Sequence, residues 1–173
     1  MRHHDNPAAQ VLAHYQNFQA CLEAGGKRGR AGISVDIVGF RRYQGDWVGA
    51  VVTPWFIHLL LLPGGGELWR ELAAGETLRV AFPAGDLEFV MEHSADAALP
   101  VHAFATILAP LDALADQNAA LASAVQALQL IFDPGCVPAP AAAAPDVKAA
   151  ENTPAGIDRR GFFRRLAGRR GLG

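Results

Sequence analysis

The chain is poor in the residue types that most catalytic and metal chemistry uses. Among its 173 residues are 2 cysteines, Cys21 and Cys136, and serine occurs only at 34, 94 and 123. Neither cysteine belongs to a CxxC pair or a Cys/His cluster, which argues against a structural zinc site and a disulfide framework. A reducing, cytoplasmic compartment suits such a chain. No serine sits in a nucleophile elbow. The 6 histidines, His3, His4, His14, His58, His93 and His102, form no HExxH or HxxxH spacing. His3 and His4 read as part of a mobile terminus, and His58, inside an apolar run, as a core residue. Gly64-Gly65-Gly66 lacks the Lys-Ser/Thr pair of a phosphate loop and reads as turn chemistry. Asp46, His58 and His93 are the remaining acid–base candidates, and nothing in their spacing links them. No enzyme activity, metal or cofactor is expected.

Long hydrophobic runs are missing too. Trp47 to Leu62 is interrupted by Gly49, Pro54 and His58. It is shorter than the roughly 20 apolar residues that a bilayer span requires. It reads as two buried strands, with no stable membrane insertion. Met1 to Gln10 has no apolar stretch of the kind a secretory leader carries, so the chain is not expected to be exported itself.

Positive charge is scarce over most of the length and concentrated at one end. Residues 157–173 hold six of the 15 Lys+Arg residues against one acid, Asp158, a net of +5; the remainder is acidic at −7. A body of that sign suits a basic peptide ligand, and equally is just soluble. Nucleic acid is a poor partner, because phosphates need a basic surface. Within the basic end, Asp158-Arg159-Arg160-Gly161-Phe162-Phe163-Arg164 resembles a twin-arginine export motif. Such signals act at an N-terminus ahead of an apolar stretch. Here the motif reads as a mimic of a signal carried by a partner, which points to a chaperone of exported proteins. A chance match in a basic terminus is the plain alternative.

Periodicity organises the rest. Val11, Tyr15, Phe18 and Leu22 share one face of a predicted helix over Ala8 to Glu23, closed by Gly25-Gly26. Strands are predicted at Val35–Tyr43 and Trp47–Val52 around Gln44-Gly45-Asp46, then at Trp55–Leu62. A short helical turn follows at Glu67–Ala73, with Leu68 and Leu72 inward. A second hairpin, Thr77–Phe82 with Leu87–Glu92, turns at Pro83-Ala84-Gly85-Asp86. Val101–Leu108 is the last strand. A second helix spans Leu111 to Phe132, with Leu121, Val125, Leu128 and Phe132 as its repeating face. Strands arriving in adjacent pairs predict an antiparallel, meandering sheet, and two one-sided helices make the fold α+β. From Pro134 onward the chain becomes rich in proline and alanine and is expected to be a linker or disordered tail.

Trp47, Trp55 and Trp69 fall close together in sequence. Each fits core packing. An indole N–H needs a partner when buried, however, and Trp55 follows Pro54 at a break between strands, where a side chain is readily displayed. An aromatic groove with acidic neighbours would hold an Arg-Arg-x-Phe peptide through stacking and cation–π contacts. Asp36, Asp46, Glu67, Glu71, Asp86 and Glu88 are the candidate acids, and the sequence does not choose among them.

The run Gly45-Asp46-Trp47-Val48-Gly49-Ala50-Val51-Val52-Thr53-Pro54-Trp55-Phe56 resembles the signature of the HybE/HupJ family of nickel–iron hydrogenase assembly chaperones. The similarity continues through Pro63-Gly64, Leu68-Trp69, the Phe82-Pro83-Ala84-Gly85 turn and Phe132-Asp133-Pro134, covering roughly residues 8–134. An arginine pair near the C-terminus is also similar to this family. Some relatives join a rubredoxin-like domain, whose cysteines this chain lacks. The resemblance implies a non-catalytic cytoplasmic accessory protein for a membrane-bound uptake hydrogenase. It would bind the small subunit precursor, with its twin-arginine signal, until cofactors are inserted and the subunits pair. The large subunit and other maturation proteins are further implied partners. The expected organisation is a chaperone domain at 1–134, a Pro/Ala-rich linker at 135–156 and a basic tail at 157–173.

The expected partner-binding residues are Trp47, Thr53, Pro54, Trp55, Phe56 and Trp69, and the signal-like motif is Arg159, Arg160, Phe162 and Phe163. In that reading the chain's own motif competes for the groove. The alternative is an assembly scaffold that ignores the signal and clasps folded subunits through an exposed strand edge around Thr53 to Phe56.

Overall fold

The computed structural model describes residues 2–97, 99–133 and 135. The linker beyond 135 and the motif Arg159, Arg160, Phe162 and Phe163 lie outside them. The elements are α1 (Ala8–Ala24), β1 (Asp36–Tyr43), β2 (Asp46–Val52), β3 (Ile57–Leu62), β4 (Thr77–Phe82), β5 (Gly85–His93), β6 (Val101–Leu108) and α2 (Gln117–Phe132). One antiparallel sheet holds all six strands in the order β1-β2-β3-β6-β5-β4. The expected α+β architecture is therefore present, built as two three-stranded meanders zipped together where β3 pairs with β6.

Local chemistry sets the boundaries. Gly26, at φ +80°, lets α1 end in a Schellman arrangement. The amides of Gly26 and Lys27 donate to the carbonyls of Glu23 and Leu22, each at 2.9 Å. Tyr43 pairs with Asp46, so Gln44 and Gly45 alone make the β1–β2 turn. Both have positive φ, 48° and 88°, as a type I′ hairpin requires. Asp46 thus belongs to β2 and not to the turn. An extra residue between Val38 and Arg41 makes a bulge in β1, where Gly39 takes φ +63°.

Two predicted boundaries are corrected. The second helix begins at Gln117 rather than Leu111, because the Asp116 carboxylate caps it by accepting from the Ala119 amide at 2.9 Å. Leu111 and Leu114 are buried ahead of the helix, in a turn. Residues 67–73 form no helix, although Leu68 and Leu72 do pack inward. The inward face of α2 also differs from the expected one. It is centred on Ala120, Ala124, Ala127, Leu128 and Ile131, while Val125 is 40% exposed. Small side chains let the helix lie close to the sheet, and the bulkier Val125 is left outside.

Each face of the sheet has its own core. Val48, Ala50, Val52, Leu59, Leu61, Phe89 and Met91 pack beneath α2. Val51, Leu60, Leu62 and Leu99 pack with Val11 and Tyr15 of α1. β2 and β3 are therefore buried along their whole length. α1 does not reach across its face, however. On β4 and β5, Thr77, Arg79, Ala81, Asp86, Glu88 and Glu92 are exposed, alternating with buried residues that face α2.

Candidate partner-binding site

Thr53 explains why the β2–β3 connection takes its shape. Its buried hydroxyl accepts from the amides of Trp55 and Phe56 at 3.3 and 3.0 Å and donates to the Phe56 carbonyl at 2.9 Å. Pro54 supplies the fixed φ for the next position of the turn. Its carbonyl accepts from the Arg30 amide at 2.7 Å, and a Cβ on Gly29 would lie 2.9 Å from that oxygen. The loop 25–32 is thereby pressed onto Pro54. With Thr53 and Pro54 buried, Trp55 and Phe56 remain half-buried at the corner. The expected exposed strand edge at 53–56 is thus a tied turn; its two backbone anchors face inward.

Trp55 meets the edge of Phe18, at 6.4 Å between centroids, and Phe18 meets Tyr15 at 6.2 Å and Phe56 at 6.1 Å. Phe18 is itself 36% exposed. Phe56 stacks on His58 at 3.9 Å and 13°, and His58 stacks on Phe104 at 4.5 Å and 11°. His58 Nε2 shares a hydrogen bond of 3.1 Å with the Thr106 hydroxyl, and Tyr15 shares one of 3.1 Å with His102 Nε2. The Nδ1 atoms of both histidines are buried without a partner among the described residues. Burial, and then the charge of His102, lowers the pKa of His58 to about 3. Burial, followed by the charge of His14, lowers that of His102 to about 4. Burial, with Glu92 adding to it, raises the Tyr15 phenol above its ordinary value. All three rings are neutral near pH 7. They offer stacking surface and poor acid–base groups.

The other expected residues are elsewhere. Trp47 is the second residue of β2, at the opposite end from Trp55, and packs on the α1 side, its indole N–H donating to the His3 carbonyl at 2.9 Å. Arg42 lies 4.7 Å over that ring and also holds the carbonyls of His4 and Gly64 at 2.7 and 3.1 Å. His3 is consequently buried, contrary to the expectation for residues 3 and 4, and its amide donates to Pro63. Trp69 packs on the α2 side of the sheet. The three tryptophans do not line one groove.

The acids separate in the same way. Asp46 is fully buried and accepts four backbone amides, from Gly64 and Gly66 on one oxygen and Leu68 and Trp69 on the other. It organises the glycine loop and is spent as a ligand or an acid–base group. Asp36 accepts from the Ile37 amide at the edge of the sheet. Glu67 and Glu71 are exposed on the loop before β4. Beside Trp55 the charge is mostly basic: Lys27, Arg28 and Arg30, against Glu23, line a cavity of about 630 Å³ with Pro54. Asp86 and Glu88 instead face the uncovered half of the sheet, where Glu92, which sequence reasoning missed, joins them. Asp46, His58 and His93 are not brought together. His93 ends β5, with Nε2 3.0 Å from the Leu72 carbonyl. Among the described residues no group of three or more His, Cys, Asp or Glu is placed to hold a metal. No helix among them is long and apolar enough to cross a membrane.

Comparison with known proteins gives a consistent picture. The family described as "[NiFe]-hydrogenase assembly, chaperone, HybE" matches residues 6–165. The hydrogenase expression/formation protein HupJ of Bradyrhizobium diazoefficiens is 36% identical over 140 residues, 80% of this chain and 76% of that protein. The probable rubredoxin HupJ of Rhodobacter capsulatus is 41% identical over 58 residues; the match spans 34% of this chain and only 21% of that protein's length. The solution structure of HybE from Escherichia coli shares the fold at a TM-score of 0.59 and 18% identity, over 88% of this chain and 94% of the other.

Proposed function

Because this chain belongs to the HybE family of [NiFe]-hydrogenase assembly chaperones, we propose that it holds the small subunit precursor of a membrane-bound hydrogenase, in the cytoplasm, and reads the precursor's twin-arginine signal. It keeps the precursor until cofactor insertion and pairing with the large subunit, works alongside other maturation proteins, and takes no cofactor of its own.

The observation that supports this reading is the run of ring contacts and strand pairings that links the Trp55 corner to the uncovered sheet. Trp55, Phe18 and Phe56 expose aromatic area. The Phe56–His58–Phe104 stack leads from them onto β6, and Glu88 and Glu92 lie beyond it on β5. Phenylalanine of a signal would pack on the rings, and its arginines would pair with the carboxylates, where planar guanidinium groups gain most.

Co-purification from cells that make the hydrogenase tests the reading. We expect recovery of unprocessed small subunit, reduced about tenfold or more by Trp55→Ala or by Glu88→Lys with Glu92→Lys. Recovery of the large subunit alone would refute it. The scaffold reading draws on the cations Lys27, Arg28 and Arg30 beside Trp55, which suit an acidic subunit surface better than an arginine pair. Undiminished binding of a precursor lacking its signal would favour that scaffold.

A further inference from the structure

The uncovered half-sheet has a second candidate occupant much nearer than any partner. α2 ends at Phe132, and the Ala84 amide, in the β4–β5 turn, donates to the Ile131 carbonyl at 3.3 Å. Phe132 also packs edge-on against Phe82, the last residue of β4, at 5.6 Å. The chain therefore leaves its last helix at the β4–β5 turn, on the α2 side of the sheet, one turn of chain away from Asp86 on the acidic face. Beyond that point lie 25 residues, 134–158, and then Arg-Arg-Gly-Phe-Phe-Arg-Arg at 159–165. The family match extends to residue 165, so it takes in this segment.

We propose that segment 159–165 of this same chain docks on the uncovered face of β4, β5 and β6. Charge is complementary. Among the described residues of β4, β5 and β6, the face carries Asp86, Glu88 and Glu92 against Arg79, whose guanidinium is 3.6 Å from Asp86. His102 lies 3.9 Å from Glu92 but leaves that carboxylate's charge uncancelled, since the ring is neutral. The floor is apolar enough for a phenyl ring: Val90 pairs with Phe104, both half-buried, and Thr77 pairs with Val90 on the other side. The four arginines of the segment meet the carboxylates, and Phe162 or Phe163 packs on Val90 and Phe104.

Reach is no obstacle. A connection of 25 residues, five of them proline, would span from roughly 25–30 Å in the coil limit to about 75 Å in the extended proline-rich limit. Its tethered end acts at about millimolar effective concentration. The docking also deepens the function proposed above, and to that extent rests on it: tail and signal share chemistry, so they would compete for one face.

Disulfide trapping in the full chain tests the docking directly. In a Cys21→Ser, Cys136→Ser background, Phe163→Cys is combined with Thr77→Cys on the face, or with Asn118→Cys, exposed near the start of α2, as a tether control. We expect the pair with Thr77→Cys to close at least tenfold faster, and Arg159→Glu with Arg160→Glu to slow it to the control rate. Equal rates at the two positions overturn the proposal, as does a fast rate that the glutamates leave unchanged. A synthetic Arg-Arg-x-Phe export-type peptide, titrated against the full chain and its Arg159→Glu/Arg160→Glu variant, separates the two ideas. A few-fold tighter binding to the variant is expected. A peptide that binds neither chain refutes signal reading and leaves docking to be judged by the trapping rates.

Discussion

The Asp46 carboxylate and the Trp69 amide meet at 2.9 Å, although the two residues are 23 apart in sequence. The bond is one of four that fold residues 63–69 around a single buried side chain. Replacing Asp46 by alanine strands four amides of half-buried residues; a fully buried unsatisfied donor costs about 1–3 kcal/mol and a part-exposed one less. We expect Asp46→Ala to lower stability by about 3 kcal/mol or more in urea unfolding. Asp46→Asn should fall between, since its NH2 group faces donors on one side. A loss within about 0.5 kcal/mol for Asp46→Ala would contradict this account.

Gly49 has a packing role. A Cβ there would overlap the Phe40 ring, which lies across the strand. Overpacking of this kind costs about 1–3 kcal/mol. Gly49→Ala should destabilise by that amount, and Gly49→Ala with Phe40→Leu should recover part of it. The readout is the midpoint of chemical unfolding in the single and double variants.

Trp47 and Trp55 should separate stability from binding. Trp47→Ala removes a buried ring and its bond to His3, so a loss of about 3–5 kcal/mol is expected. Trp55→Ala removes a half-buried corner ring, for which about 1 kcal/mol is expected. Retention of precursor should be lost with Trp55→Ala while the fold persists. The reverse pattern would place the binding surface elsewhere.

Acid stability should depend on the two buried histidines. Their folded pKa values, about 3 and about 4, lie below the unfolded value of 6.5. Between these limits the unfolded chain binds more protons, so stability is full above pH 6.5 and falls as the pH drops toward 4. Each histidine adds up to about 1.4 kcal/mol per pH unit. His58→Phe keeps the ring stack and should remove one histidine's share of the slope. Identical slopes in the parent and the variant would show that His58 is not held neutral.

Much of the fold is legible in the residues. Glycine pairs and the paired strand runs mark ends and turns because each has a local physical cause, whereas the start of α2 at the Asp116 cap is missed by the apolar spacing that begins at Leu111. The α2 face differs from the expected one because alanine gives little hydrophobic signal, yet Ala120, Ala124 and Ala127 are fully buried on the side that faces the sheet. β2 is buried on both sides, so alternation does not reveal the face on which Trp47 packs, and Trp69 lies in the loop after β3, where no alternation applies. Trp55 at the corner is readable from Pro54. The stack of Phe56, His58 and Phe104 is not, because it depends on the β3–β6 register across about fifty residues. The role of Asp46 is hidden for the same reason: its four donors come from a loop beyond the next strand.

The seam between β3 and β6 divides the molecule into two neighbourly trios of strands. Each trio is wired through short reversals, whereas the seam itself spans a long excursion of chain. A backbone cut near Glu71, ahead of the bonds that tie Gly75 and Glu76 to Met91, would leave both ladders whole and sever the covalent link between them. Such fragments carry complementary open edges at β3 and β6, the geometry wanted in a split reporter whose halves light up when brought side by side.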